Sequence, residues 1–241
     1  MAKVSFFLCV ACAIISIAGC GGSILYSGIL GGGPSIDTDA VMAEAVECGA
    51  LRDYSTAIGL LDKIIERYPN DSVALTTRGM MFCNSGELEK AITDFSAAIE
   101  CDPDNSDAYS QRAQAHQFGD HSGWAKKALA DTEISIRFQQ HNPLAHTVRG
   151  YAFTDQEQLK IAVDEFSLAI RQDSKSYSAF AGRAWVYAKM SKFYQANLDV
   201  NKALKLNPPV AEHKSLKRFA RQISAAKSNG KQKFLMFRPS N

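Results

Sequence analysis

The chain repeats itself every 34 residues, and that period limits the kind of core it can build. The segment SVALTTRGMMFCNSGELEKAITDFSAAIECDPDN (72–105) aligns without a gap on PLAHTVRGYAFTDQEQLKIAVDEFSLAIRQDSKS (143–176). Both carry Arg-Gly, an aromatic three residues after the glycine, and then Ala, Phe, Ala and Ile in register. The intervals 38–71 and 177–210 fit the same ruler, and 106–142 fits it with three extra residues. A unit this short cannot bury its apolar face alone. Stacked copies bury it against one another.

The matched positions predict two helices per unit. Small residues recur on the first, at Ala45, Gly79, Ala113, Gly150 and Ala184, and on the second, at Ala57, Ala91, Ala128, Ala162 and Ala196. Helices without side-chain bulk at their contact approach closely. Phe82, Phe153 and Tyr187 on first helices, and Leu61, Phe95, Phe166 and Val200 on second helices, fill the space between successive hairpins. Pro69, Pro103 and Pro208 stop second helices, because proline cannot continue one. This pattern resembles the tetratricopeptide repeat (TPR). The resemblance implies an all-α TPR solenoid of about five helix-turn-helix repeats: 38–71, 72–105, 106–142, 143–176 and 177–210. Repeat one departs from the pattern at Glu44 and Cys48, and repeat three at His116 and Thr132, which suggests looser packing mid-array.

After the last repeat, Leu216, Phe219, Ala220 and Ile223 form one apolar helical face, opposite Lys214, Lys217, Arg218 and Arg221. Residues 211–228 therefore read as a capping helix and 229–241 as a basic tail containing Phe234–Phe237.

Four repeats carry Arg at one first-helix position (Arg78, Arg112, Arg149, Arg183) and an acid on the second helix (Asp94, Asp131, Glu165, Asp199). Repeat one has Glu44 and Leu60 there, so both features vanish together. This predicts an ion pair inside each hairpin. A pair between neighbouring hairpins is the rival, and it leaves Arg78 unpaired because Leu60 precedes it. Either way these arginines are structural and not a phosphate-binding row.

The N-terminus reads as an address. Lys3 precedes an apolar run, Val4–Ala18, that suits a signal peptide better than a span of about 20 residues. It ends in Ile17-Ala18-Gly19-Cys20, which resembles the lipobox of bacterial lipoproteins. The resemblance implies a signal peptide at 1–19, cleavage before Cys20 and a lipid anchor on Cys20. Residues 20–37 then form a Gly-rich linker with Pro34; as a flexible tether its r.m.s. reach is about 23 Å. The implied location is the cell envelope. Gly21 follows the cysteine where inner-membrane lipoproteins carry Asp, which favours the outer membrane facing the periplasm if the source is diderm.

No catalytic constellation is legible: there is no G-x-S-x-G, P-loop, HExxH or dinucleotide fingerprint. The chain reads as no enzyme, with no cofactor and no small-molecule substrate. His116 and His121 lie toward the turn of hairpin three, whereas His141 and His146 lie at its far end. A helix of about 12 residues holds those ends roughly 18 Å apart, so no metal site is expected. A formal net charge of +2 gives no whole-chain case for nucleic acid, and the basic C-terminus reads as a solvated helix face. The six cysteines show neither CxxC spacing nor a dense disulfide framework. Asn70-Asp71-Ser72 matches a glycosylation sequon, by coincidence if the lipobox is bacterial.

In the resembling family, first helices line a concave face. Carried across position by position, that face shows Thr76, Met80, Gln114, Gln117, Tyr151, Thr154 and Trp185, along with Met42, Val46 and Cys83. The repeats that grip chaperone C-termini use Lys and Asn at such positions, where Val46, Met80, Gln114, Tyr151 and Trp185 stand here. A carboxylate clamp is thus absent, and a protein segment with apolar anchors is the expected ligand. Trp124, beside the inserted turn at Gly119–Gly123, is either an interface anchor or the start of a packed second helix. The resemblance implies a membrane-anchored scaffold or adaptor for other proteins. The alternatives are a self-associating envelope protein or an accessory subunit of an enzyme complex.

Overall fold

The computed structural model describes residues 37–119 and 123–229, with side chains described through Ala225. The signal segment, Cys20, the linker to residue 36, the insertion residues Asp120, His121 and Ser122, and the tail from 230 lie outside the described residues. All described regular structure is helical, in two compact units, 37–101 and 102–229.

The first unit holds α1 (Thr38–Ala50), α2 (Tyr54–Arg67), α3 (Ser72–Ser85) and α4 (Leu88–Cys101). Each consecutive pair packs, so two hairpins lie side by side. Ala45, Ala57, Leu61, Ile64, Ala74 and Met81 make one buried cluster. The second unit holds α5 (Ser106–Phe118), α6 (Trp124–Phe138), α7 (Pro143–Asp155), α8 (Leu159–Gln172), α9 (Tyr177–Lys189), α10 (Phe193–Lys205) and α11 (Val210–Asn229). Its cores centre on Phe166 with Val186, on Val148 with Ala152, and on Val200 with Phe219 and Ile223. α11 packs against α10 and covers the last hairpin with Leu216, Phe219 and Ile223.

Two devices recur at the helix ends. Every first helix is N-capped from the same repeat position: Asp37, Asp71, Asn105, Asn142 and Ser176 accept from the N–H groups of Ala40, Ala74, Ala108, Ala145 and Ala179. These bonds satisfy donors that a helix start leaves without partners. Asp71 also explains the sequon-like triplet: it caps α3, while the Ser72 hydroxyl donates to the buried Ala98 carbonyl at 3.1 Å. The second device is a left-handed residue in every intra-hairpin turn, at Arg52 (φ 67°), Gly86 (95°), Gly123 (82°), Glu157 (58°) and Ser191 (59°). In four of these turns the next amide closes a wide bond to the first helix: Asp53 to Cys48, Glu87 to Phe82, Gln158 to Phe153 and Lys192 to Tyr187, all 2.8–2.9 Å. This is the Schellman arrangement for ending a helix.

Repeat three is not loosely packed, contrary to expectation. Thr132 is fully buried and its hydroxyl donates to the Ala128 carbonyl at 2.7 Å. The large side chain of this hairpin is Trp124, which opens α6 and packs with Ala113, Ala125, Ala128, Val148 and Ala152. At 5% exposure it is a core residue, which removes the anchor reading of Trp124. At the far end of the same helix, Asn142 donates to Ser135 at 2.9 Å, and Ser106 donates to Gln139 at 2.9 Å. That polar knot ties α5, α6 and the start of α7 together.

Candidate protein-binding surface

What a first helix can offer a partner depends on how its hairpin is docked, and the arginines set that docking. Arg78 clamps Asp94 with two parallel bonds, at 2.7 and 2.8 Å. Arg112 holds Asp131 at 2.9 and 2.7 Å, and Arg183 holds Asp199 at 2.8 and 2.9 Å. Arg149 meets Glu165 at 3.2 Å. Hydrogen bonding to the carboxylates raises Arg78, Arg112 and Arg183 above the ordinary guanidinium value, against the opposing effect of burial. The expected within-hairpin pair is therefore present in all four hairpins that carry the residues.

The register acids pair within their own hairpins, but two arginines also reach the preceding hairpin through residues outside that register. Asp62, two residues beyond Leu60, accepts from Arg78 Nη1 at 2.7 Å. Ser167 accepts from Arg183 Nη1 at 3.0 Å. A guanidinium has donors to spare after a bidentate carboxylate contact, and the remaining ones reach the preceding hairpin. Repeat one lacks its own pair yet supplies Asp62 to its neighbour. Repeat four differs again. His146 stands where the other repeats have Val41, Leu75, Tyr109 and Phe180, and its Nδ1 lies 2.8 Å from Glu165 Oε2. The longer Glu165 thus serves both His146 and Arg149.

The seven sequence-derived surface residues separate by burial. In the first unit, Thr76 is 6% exposed with its hydroxyl on the Ser72 carbonyl, and Met80 is 9% exposed. In the second unit, Gln114 and Gln117 are 6% and 5% exposed. Thr154 has no exposed surface, and its hydroxyl donates to the Gly150 carbonyl of its own helix at 2.6 Å. These five are buried and not open lining residues, and Cys83, at 2%, is the same. The physical reason is contact between successive first helices: α7 packs on both α5 and α9, which covers its flanks.

Tyr151 and Trp185 remain partly exposed. The Tyr151 hydroxyl donates to the Ser178 carbonyl at 3.2 Å, and its ring meets Phe166 edge-on with centroids 5.0 Å apart. The Trp185 ring carries the Lys189 ammonium 5.2 Å from its centroid, and that ammonium also pairs with Glu157 at 2.6 Å. Sequence reasoning missed Lys189. Its i, i+4 spacing from Trp185 was the available signal. A partly exposed indole flanked by a cation and a carboxylate suits a protein segment with an apolar anchor and polar flanks. Among the described residues no group of three or more His, Cys, Asp or Glu side chains could hold a metal.

Comparison with known proteins agrees with this architecture. A family model described as TPR repeat matches residues 79–117, and one described as tetratricopeptide repeat matches 60–93. Tetratricopeptide repeat protein 6 of Homo sapiens is 30% identical over 121 residues, covering 50% of this chain and 23% of that protein. The chain spans less than half the length of the curated relatives it matches. A thermophilic TPR protein of Thermus thermophilus superposes with a TM-score of 0.66 at 17% identity, over 78% of this chain and 99% of that one. The TPR protein YrrB, described as having an unusual peptide-binding site, superposes with a TM-score of 0.53 at 18% identity, over 77% and 92%.

Proposed function

We propose that the chain, whose residues 60–93 and 79–117 match tetratricopeptide-repeat models, is a non-catalytic scaffold that binds a segment of another protein on its first helices and is held at a membrane by lipid on Cys20. The observation that carries the binding half is that, of the second unit's lining-register residues, Tyr151 and Trp185 stay partly exposed while Gln114, Gln117 and Thr154 are buried. The likeness to a protein described as having a peptide-binding site supports the same reading. The anchoring half rests on the Ile17-Ala18-Gly19-Cys20 pattern behind an apolar run. No helix among the described residues is long and apolar enough to cross a membrane. With the lipobox reading, the protein works at the bacterial cell envelope, in the outer membrane facing the periplasm if the source is diderm. Its partners are proteins or peptide segments, with no role for nucleic acid, cofactor or small-molecule substrate.

The two halves are tested separately. Full-length protein extracted in mild detergent is used for affinity capture and mass spectrometry beside Trp185→Ala and Lys189→Ala. Both variants are expected to lose the segment-binding partner, Lys189→Ala at the wild-type melting temperature and Trp185→Ala with some loss of it, because the Trp185 ring also packs on the core around Val200 and Phe219. Unchanged capture by both would remove the surface from consideration. For the anchor, Cys20→Ser should abolish both processing and labelling by radioactive fatty acid. A fully labelled Cys20→Ser chain would refute it.

A further inference from the structure

The outward side of α11 is a single stripe of cations. The helix turns Leu216, Phe219 and Ile223 inward, at 3%, 0% and 1% exposure. That places Lys214, Lys217, Arg218 and Arg221, all exposed, along the opposite side at i, i+3, i+4 and i+7. Glu212, the one acid after Asp199, is buried at 7%. No ion pair to any of the four cations is present among the described residues. The chain as a whole segregates charge in the same sense. Residues 200–241 carry ten Lys or Arg against one acid, and residues 1–199 carry 17 against 24. The near-neutral total conceals a strongly basic end.

We propose that this stripe docks the protein on an anionic lipid surface. The four cations span about 10 Å along the helix, comparable to the Debye length of about 8 Å at physiological salt. They therefore act on one surface as a single patch. An acidic protein segment is the competing occupant, but protein interfaces take their affinity from buried aromatic or aliphatic anchors. The stripe holds no aromatic and one aliphatic residue, Val210 in its first turn; between Lys214 and Ala225 the exposed positions other than the cations are Ser224 and Ala225. A lipid surface asks only for charge density, and basic clusters on amphipathic helices recognise it in that way. The sequence continues the charge, with Lys227, Lys231, Lys233 and Arg238 and no further acid. The proposal goes beyond the scaffold reading, and it does not depend on acylation of Cys20.

Lysine acetylation footprinting of the full chain tests it, on vesicles of phosphatidylcholine alone or with added phosphatidylglycerol. Lys63 and Lys160, both exposed on second helices, are internal references. Relative to these, labelling of Lys214 and Lys217 should fall at least five-fold on the anionic vesicles and recover in 0.5 M salt. Each cation near such a surface is worth about five-fold in binding. The variant R218Q/R221Q should therefore raise the lipid concentration for half-protection by about 25-fold, with helical circular dichroism unchanged. Equal labelling on the two vesicle types overturns the proposal. So does equal protection by poly-glutamate at matched negative charge, which would assign the stripe to an acidic protein instead. Flotation with both vesicle types reports the N-terminal anchor independently, so failure of one reading is not mistaken for failure of the other.

Discussion

Replacing Gly182 with alanine should destabilise the second unit, although alanine is the better helix former. A Cβ at Gly182 falls 2.4 Å from Phe166 Cε1 and 2.5 Å from Cζ, where ordinary contact begins near 3.4 Å. The ring has little room to retreat. It is fully buried, it meets the edge of Tyr151, and a Cβ at Gly150 would lie only 2.8 Å from the same two ring atoms. Overpacking of this kind costs about 1–3 kcal/mol, and the intrinsic preference for alanine in a helix offsets about 1 kcal/mol. With so close an approach the upper part of the range applies, leaving a net loss of about 1–2 kcal/mol. Gly59 is the control. It is exposed in the middle of α2 and a Cβ there meets nothing within 4 Å, so Gly59→Ala should stabilise by about 0.5–1 kcal/mol. Phe166→Leu removes the ring and should rescue Gly182→Ala, the double mutant being at least about 1 kcal/mol better than the sum of the singles. Urea unfolding followed by circular dichroism measures all four variants. If Gly182→Ala gains stability as Gly59→Ala does, with an unchanged denaturant slope, then the close approach of α8 and α9 at Phe166 is not a packing constraint and the reasoning fails.

Other outcomes follow from the same geometry. Ser191 holds a left-handed φ of 59° that glycine adopts without strain, so Ser191→Gly should raise stability by about 0.5–1 kcal/mol, whereas Gly86→Ala should lower it by about 1 kcal/mol; thermal melts of the two variants should shift in opposite directions. A double-mutant cycle on Arg183 and Asp199, bonded at 2.8 and 2.9 Å with both side chains largely buried, should show about 1–3 kcal/mol of coupling, and strict additivity would exclude the pair as a docking element. Asp62→Ala should cost well under 1 kcal/mol, because that carboxylate is 45% exposed and Arg78 keeps Asp94. Trp124→Ala should cost about 3–5 kcal/mol in chemical denaturation, and a stable variant that merely lost partner binding would restore the anchor role.

How much of this was readable in advance divides along a physical line. The repeat period exposes whatever must recur: the small contact positions and the Arg and acid that appear and vanish together; the apolar face of the last helix shows in helical spacing instead. It does not expose what a neighbouring helix covers. Thr154 and Cys83 stand in a lining register yet are buried, because successive first helices lie against each other. Gly182 falls outside the recurrent small positions but touches the same ring as Gly150. The left-handed turn position was hidden for a different reason. Only two of its five occupants are glycine, and Arg52, Glu157 and Ser191 give no local sign of a positive φ. Asp62 was missed because the pairing argument looked for an acid in the same register as Asp94, while the guanidinium's spare donor reaches a residue two positions further on.

The arginine is better understood as one member of a three-part device than as half of a salt bridge. Arg78, Arg149 and Arg183 each lie over an aromatic four residues on in the same helix, Phe82, Phe153 and Tyr187, at 5.8, 5.8 and 5.9 Å from the centroid. That aromatic also supplies the carbonyl that closes the Schellman bond of the hairpin turn. One face of the guanidinium thus rests on the residue whose carbonyl closes the turn, while its edge grips the second helix and, at Arg78 and Arg183, the preceding hairpin as well. Lysine offers no planar fork and would satisfy only one of these demands. Repeat one shows the converse: with Glu44 and Cys48 in the two positions, it keeps the left-handed turn at Arg52 and the closing bond from Asp53 to Cys48, so the turn does not need the arginine. What the arginine adds is the grip on the second helix of its own hairpin and, at Arg78 and Arg183, a further bond to the hairpin before it.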